Sequence, residues 1–137
     1  MNLSKNFTLK ELTRTDTGIE NVPDVTALDN LAKLAVTLER VREVCGNRSI
    51  LCKSGYRSKA VNAKVKGSAT SAHMRGLALD FIVTGQPISD TFRMIRRAGI
   101  VYDQLILEPT WIHIGLSEGK PRQEALIYDG HNYSVAP

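Results

Sequence analysis

Two short stretches hold the residues with the most chemistry. One is Ser71-Ala72-His73-Met74-Arg75-Gly76-Leu77-Ala78-Leu79-Asp80, the other Trp111-Ile112-His113. Together they offer two imidazoles and a carboxylate. A structural zinc site is usually closed by four protein ligands, often thiolates, whereas a catalytic site keeps three and leaves a position open for water. Three non-thiolate candidates therefore suggest hydrolysis more than scaffolding. Asp80 interrupts the apolar run Leu77 to Val83, and a charge there is costly unless it is paired or metal-bound. His131, in Asp129-Gly130-His131-Asn132, reads as an exposed turn residue.

Hydrolysis of an amide also needs a base and a proton donor for the leaving amine. Glu108 is the candidate, at the end of the apolar run Leu105-Ile106-Leu107 and just before the turn that leads to His113. Asp103 is the second choice, although its more polar surroundings suit a turn or a structural role. Arg57, in Ser54-Gly55-Tyr56-Arg57-Ser58, supplies a permanently charged, bidentate guanidinium. Such a group is suited to holding a substrate carbonyl or stabilising the oxyanion formed from it.

The elements that must position these residues follow from pattern and punctuation. Thr8-Leu9-Lys10-Glu11 matches a capping box and predicts a short helix to about Arg14. Thr15 to Val25 is polar, contains Gly18 and Pro23, and reads as a loop. Leu28, Leu31, Leu34, Ala35, Leu38, Val41 and Cys45 recur at helical steps, with Gly46 as the stop. Ser49 to Ser54 reads as a strand, Lys59 to Val65 as a brief helix and Lys66 to Ala72 as a loop. His73 and Asp80 are too far apart for one helical turn, so a loop delivers the first and the strand Leu77 to Val83 the second, with Gly76 turning the chain between them. Ile88 to Ala98 is helical, with Ser89 as its expected cap and Gly99 as its stop. Tyr102 to Leu107 and Trp111 to Leu116 are strands joined at Pro109-Thr110, and alternation puts Trp111 and His113 on one face. Ala125 to Tyr128 adds a final strand. Helices and hairpins mix without βαβ alternation, so the expected class is α+β: a small antiparallel sheet carrying the zinc site, flanked by helices.

Length and composition bound the rest. The 137 residues, 42% hydrophobic and 23% charged, suit one soluble domain over 1–137. No apolar run is long enough for a membrane span. The formal charge of +4 favours an anionic partner without selecting one. Lys and Arg are dispersed, which argues against a nucleic-acid face. Cys45 and Cys52 are the only cysteines; a buried free thiol at Cys52 is the favoured reading, with a bridge between the two left open. Met1 to Asn6 carries no apolar segment, so the expectation is no secretory signal.

Ser54-Gly55-Tyr56-Arg57, then Ser71-x-His73-x-x-Gly76-x-Ala78-x-Asp80, then Trp111-x-His113 resembles the zinc D-alanyl-D-alanine carboxypeptidase family. That family includes bacterial carboxypeptidases, vancomycin-resistance D,D-dipeptidases and phage L-alanyl-D-glutamate endolysins. The opening Asn6-Phe7-Thr8-Leu9-Lys10-Glu11-Leu12 is similar to that of small phage and prophage members, and the likeness runs from about Asn6 to Leu116. The resemblance implies zinc (Zn2+) ligation by His73, Asp80 and His113, a substrate-polarising role for Arg57 and a place near the substrate for Ser71. Many members carry a Glu three residues before the last His, where this chain has Thr110; Glu108, five before, fits the small phage-type pattern.

The implied activity is zinc-dependent hydrolysis of a peptide bond in the peptidoglycan stem, either D-Ala-D-Ala carboxypeptidase or L-Ala-D-Glu endopeptidase in type, with a phage endolysin as one form of it. The competing expectation is a non-catalytic cell-wall-binding or virion structural module that retains the fold. The implied partner is a peptidoglycan peptide, with no nucleic acid, no membrane and a monomeric chain. Accumulation in the cytoplasm of a phage-infected host, with action at the cell wall or periplasm, is the corresponding expectation for location.

Overall fold

A computed structural model describes all residues from Met1 to Pro137. Its frame is a six-stranded sheet built from β1 (Ile50–Ser54), β2 (Ala78–Val83), β3 (Gln104–Leu107), β4 (Ile112–Gly115), β5 (Glu124–Tyr128) and β6 (Tyr133–Val135). The spatial order is β1-β2-β4-β3-β5-β6. All pairs are antiparallel except β3 with β5, which run parallel. Four α-helices accompany the sheet: α1 (Leu9–Leu12), α2 (Val25–Val44), α3 (Lys59–Lys64) and α4 (Ile88–Arg97). The class is the expected α+β, with a larger sheet than the strand runs suggest.

Period-two alternation divides the sheet into two chemically distinct faces. The register sets Cys52, Phe81, Ile112, Leu107 and Ile127 in one row across five strands. All five belong to, or pack against, the continuous core. That core is closed by Leu31, Leu34, Leu38 and Val41 of α2 and by Phe92 and Ile95 of α4. Each fully buried side chain of this kind contributes about 1.5–3 kcal/mol, so the helices stay on this face. The neighbouring row, Ser54, Asp80, His113, Ile106, Leu126 and Val135, points the other way. No large helix covers it, and it carries the polar groups.

Several local expectations are met. Thr8 and Glu11 form the reciprocal capping box of α1, although this helix ends at Leu12 rather than Arg14. Asp24 caps α2 through the Ala27 amide, and Gly46 follows the helix at φ +79°. Ser58 caps α3 through the Val61 amide. The two cysteines are buried and free, so no bridge forms.

Other expectations need correction. Ser89 does not cap α4; Pro87 stands at the cap position without a side-chain bond, and Ser89 lies inside the first turn. Proline's fixed φ is compatible with that position, so a hydroxyl is not required there. Ala72–Arg75 forms a short 3-10 helix rather than part of a loop, capped by the Ser71 hydroxyl, which accepts from the His73 amide at 3.2 Å. Strand β6 has no counterpart in the sequence pattern, because three residues are too few to show a period. No helix is long and apolar enough to cross a membrane.

Candidate active site

The centre of the open face is Asp80. Its position in β2 pairs with His113 in β4, and the side chains meet, with His113 Nδ1 2.8 Å from Asp80 Oδ1. His73 arrives from the 3-10 helix, with its Nε2 3.4 Å from Asp80 Oδ2. Gly76 makes this delivery possible. It adopts φ +72°, and a Cβ there would lie 2.5 Å from the Ala27 carbonyl oxygen of α2. Only glycine fits both the conformation and the close approach. Asn30 of α2 also donates to the Arg75 carbonyl, holding the 3-10 helix against the core.

The protonation pattern of His73 follows from its neighbour. A carbonyl cannot donate, so the 2.8 Å contact between His73 Nδ1 and the Gly55 oxygen places the proton on Nδ1 and leaves Nε2 as the free lone pair. Burial alone would raise the Asp80 pKa, but the two imidazoles against its carboxylate hold it well below the carboxylate range. A ligand atom from each of His73, Asp80 and His113 lies within 4.8 Å of the others. Zinc–ligand bonds of about 2.0–2.2 Å in a tetrahedron put neighbouring ligand atoms about 3.3 Å apart. The 2.8 and 3.4 Å contacts bracket that value. The donor set, an imidazole held by a second hydrogen bond plus a shared carboxylate, fits zinc with three protein ligands and a fourth direction left for water or substrate.

Arg57 flanks the carboxylate on the β1 side. Its Nε donates to Ser54 Oγ at 3.0 Å, Nη1 to Asn62 Oδ1 at 3.4 Å and Nη2 to Asp80 Oδ2 at 3.5 Å. Burial pushes its pKa down, and the Asp80 charge opposes that shift. Asn62 is absent from the residues that the sequence singles out. It is buried on α3 and donates to the Ser68 carbonyl, tying Arg57 to the loop that leads to Ser71. Gly67 belongs to the same tie, since a Cβ there would lie 2.1 Å from Asn62 Oδ1. The only sequence signal for Asn62 is a polar residue on the inward side of a very short helix.

Glu108 stands beyond the end of β3 on the other side. It is half-buried, and burial is the main reason its pKa is raised; the His113 charge opposes the shift and the Asp80 charge adds to it. Asp103 differs in kind. Arg122 donates to both of its carboxylate oxygens, at 3.0 and 2.8 Å, and these bonds lower its pKa. The second-choice base is thus engaged in an ion pair.

A groove of about 440 Å³ runs past the His73–Asp80–His113 cluster to Glu108. Ser71, His73, Asp80, Glu108, Trp111 and His113 line it. Trp111 and His113 share a face, as alternation predicts. The Trp111 indole N–H is buried there without an acceptor. His131 lies outside the groove on an exposed turn, its amide bonded to Asp129.

A protein-family model described as Peptidase M15 matches residues 5–115. The chain belongs to the peptidase M15 family. The resemblance read from the three motifs is confirmed by that match. No curated protein matches the chain at a significant level. As an M15 peptidase the chain is a metallopeptidase with a peptide substrate, and enzymes of this family are in general zinc-dependent. The matched region closes at the last residue of β4, so β5 and β6 lie beyond it.

Proposed function

We propose that this M15 peptidase hydrolyses a peptide bond in the stem peptide of peptidoglycan. The observation that carries the reading is the groove that brings the His73–Asp80–His113 cluster and Glu108 together, with Arg57 bonded to Asp80 from the β1 side. Those three cluster residues would hold the zinc. When bound, the ion supplies Lewis acidity and lowers the pKa of water toward neutrality.

The chain's own residues account for the remaining chemistry. Arg57 is held at three points, so its guanidinium can face the scissile carbonyl without further ordering and offset the charge growing on that oxygen. Glu108, with its raised pKa, accepts a proton from the attacking water as the oxygen bonds to the carbonyl carbon. It returns that proton to the amine nitrogen as the C–N bond breaks, so one water is consumed and one acid and one amine are released. Ser71, already bonded to the His73 amide, lines the groove where the acyl side of the substrate passes. The half-buried Glu108 on the same groove favours catalysis over a non-catalytic wall-binding module.

Peptidoglycan is the substrate class that the SGYR, SxHxxGxAxD and WxH motifs suggest, and the +4 charge suits an anionic wall. Release into the wall or periplasm of a phage-infected host, by a monomeric chain, belongs to the same proposal. Incubating the zinc-loaded chain with purified peptidoglycan and weighing the muropeptides tests it. New stem-peptide products are expected, and unchanged muropeptides would refute the assignment.

A further inference from the structure

The groove face continues past Glu108. In the parallel β3–β5 ladder Ile106 pairs with Leu126 and Leu107 with Ile127, so Tyr128 stands beside Glu108 at the next step. Tyr128 pairs in turn with Tyr133 on β6. Because Ile106, Glu108, Leu126 and Tyr128 alternate onto one face, both tyrosines share the face that bears Asp80 and His113. Their rings stack at 4.4 Å with 30° between planes. Tyr128 is fixed by a hydroxyl bond to the Gly130 carbonyl. Tyr133 remains 58% exposed and lines the groove together with Glu108 and Trp111.

We infer that the β5–β6 hairpin forms the leaving-group wall of the groove, with Tyr133 as its contact surface and Tyr128 stacked behind it, and that the enzyme cuts bonds whose amine side carries several residues. The inference rests on Glu108 as the proton carrier. A proton returned to the amine nitrogen fixes that nitrogen next to Glu108, so the amine side of the substrate runs toward β5 and β6. Two strand spacings separate β3 from β6, about 10 Å, which an extended peptide covers with roughly three residues. A single terminal amino acid would end before Tyr133 and leave the aromatic wall without a role. The stack also stabilises its hairpin as a cross-strand pair, but that function does not require Tyr133 to face the groove.

The experiment compares two soluble stem peptides on the zinc-loaded chain by mass spectrometry. One offers a terminal D-Ala–D-Ala bond, with one residue on the amine side. The other offers an L-Ala–D-Glu bond followed by two further residues. Wild type is expected to favour the second by about tenfold or more in kcat/KM. Tyr133→Thr, β-branched to keep the strand, is expected to raise KM for the longer substrate about tenfold, while Tyr133→Phe retains it. Melting temperature checks the hairpin, and the wild-type ratio is read without any variant. Faster release of a single D-Ala by wild type overturns the inference, as does an unaltered KM in a folded Tyr133→Thr. Wild type that leaves both peptides and whole peptidoglycan intact removes the peptidoglycan assignment itself, and the wall's role with it.

Discussion

At the scale of single residues, the proposed site assigns metal holding and proton transfer to different side chains. His73→Ala removes a proposed ligand whose Nε2 is the only free nitrogen on that ring. It is expected to lose most of its zinc, measured by metal analysis after gel filtration. Glu108→Gln keeps the ligand cluster and is expected to retain zinc while kcat falls about 10²–10⁴-fold. A Glu108→Gln enzyme with wild-type turnover would return attention to Asp103, despite its pairing with Arg122. Asn62 is expected to act through Arg57 and through the Ser68 carbonyl it holds. Asn62→Ala should lower kcat more than it raises KM, since it loosens the guanidinium rather than removing it.

At the scale of elements, two short segments carry more of the site than the long helix does. The 3-10 helix that presents His73 depends on Gly76, whose positive φ and 2.5 Å approach to Ala27 leave no room for a Cβ. Gly76→Ala is expected to destabilise the fold by about 1–3 kcal/mol and to weaken zinc binding, read together by thermal melts with and without metal. A surface cap sets the comparison: Asp24→Ala, which removes the α2 cap, is expected to cost about 1 kcal/mol with zinc affinity retained. Sequence punctuation locates α1, α2, α3 and β2 closely, because capping residues and strong periodicity act locally. It places the start of α4 at Ile88 but misassigns the cap, where Pro87 stands instead of the expected Ser89. It also misses the 3-10 helix, whose four residues carry no repeating apolar pattern.

At the scale of the whole molecule, the two faces of the sheet do different work. The core face buries Cys52, and desolvation pushes its thiol up to about 12 from 9.0. A group whose folded pKa is raised contributes its stability in full below the unfolded pKa and loses it as pH rises toward the folded one. Stability is therefore expected to decline between about pH 9 and pH 12, followed by urea midpoints. Cys52→Val should show a shallower decline over that window. The open face carries Ser54, Asp80 and His113 on β1, β2 and β4 and the two tyrosines on β5 and β6.

The sequence by itself determined which residue types were present for hydrolysis and most of the elements that carry them. Capping, glycine geometry, apolar periodicity and three ordered motifs are all short-range signals, and they suffice to single out His73, Asp80, His113, Arg57 and Glu108. Tertiary structure alone decided how they meet. The β2–β4 and β3–β4 registers bring Asp80, His113 and Ile106 into one row, although they come from separate parts of the chain. The same applies to Asn62 behind Arg57, to Arg122 occupying Asp103, and to the parallel β3–β5 pairing that sets two tyrosines beside Glu108. Strand order and register follow from burying one face of the whole sheet against α2 and α4. That requirement is global, and no local window of residues contains it.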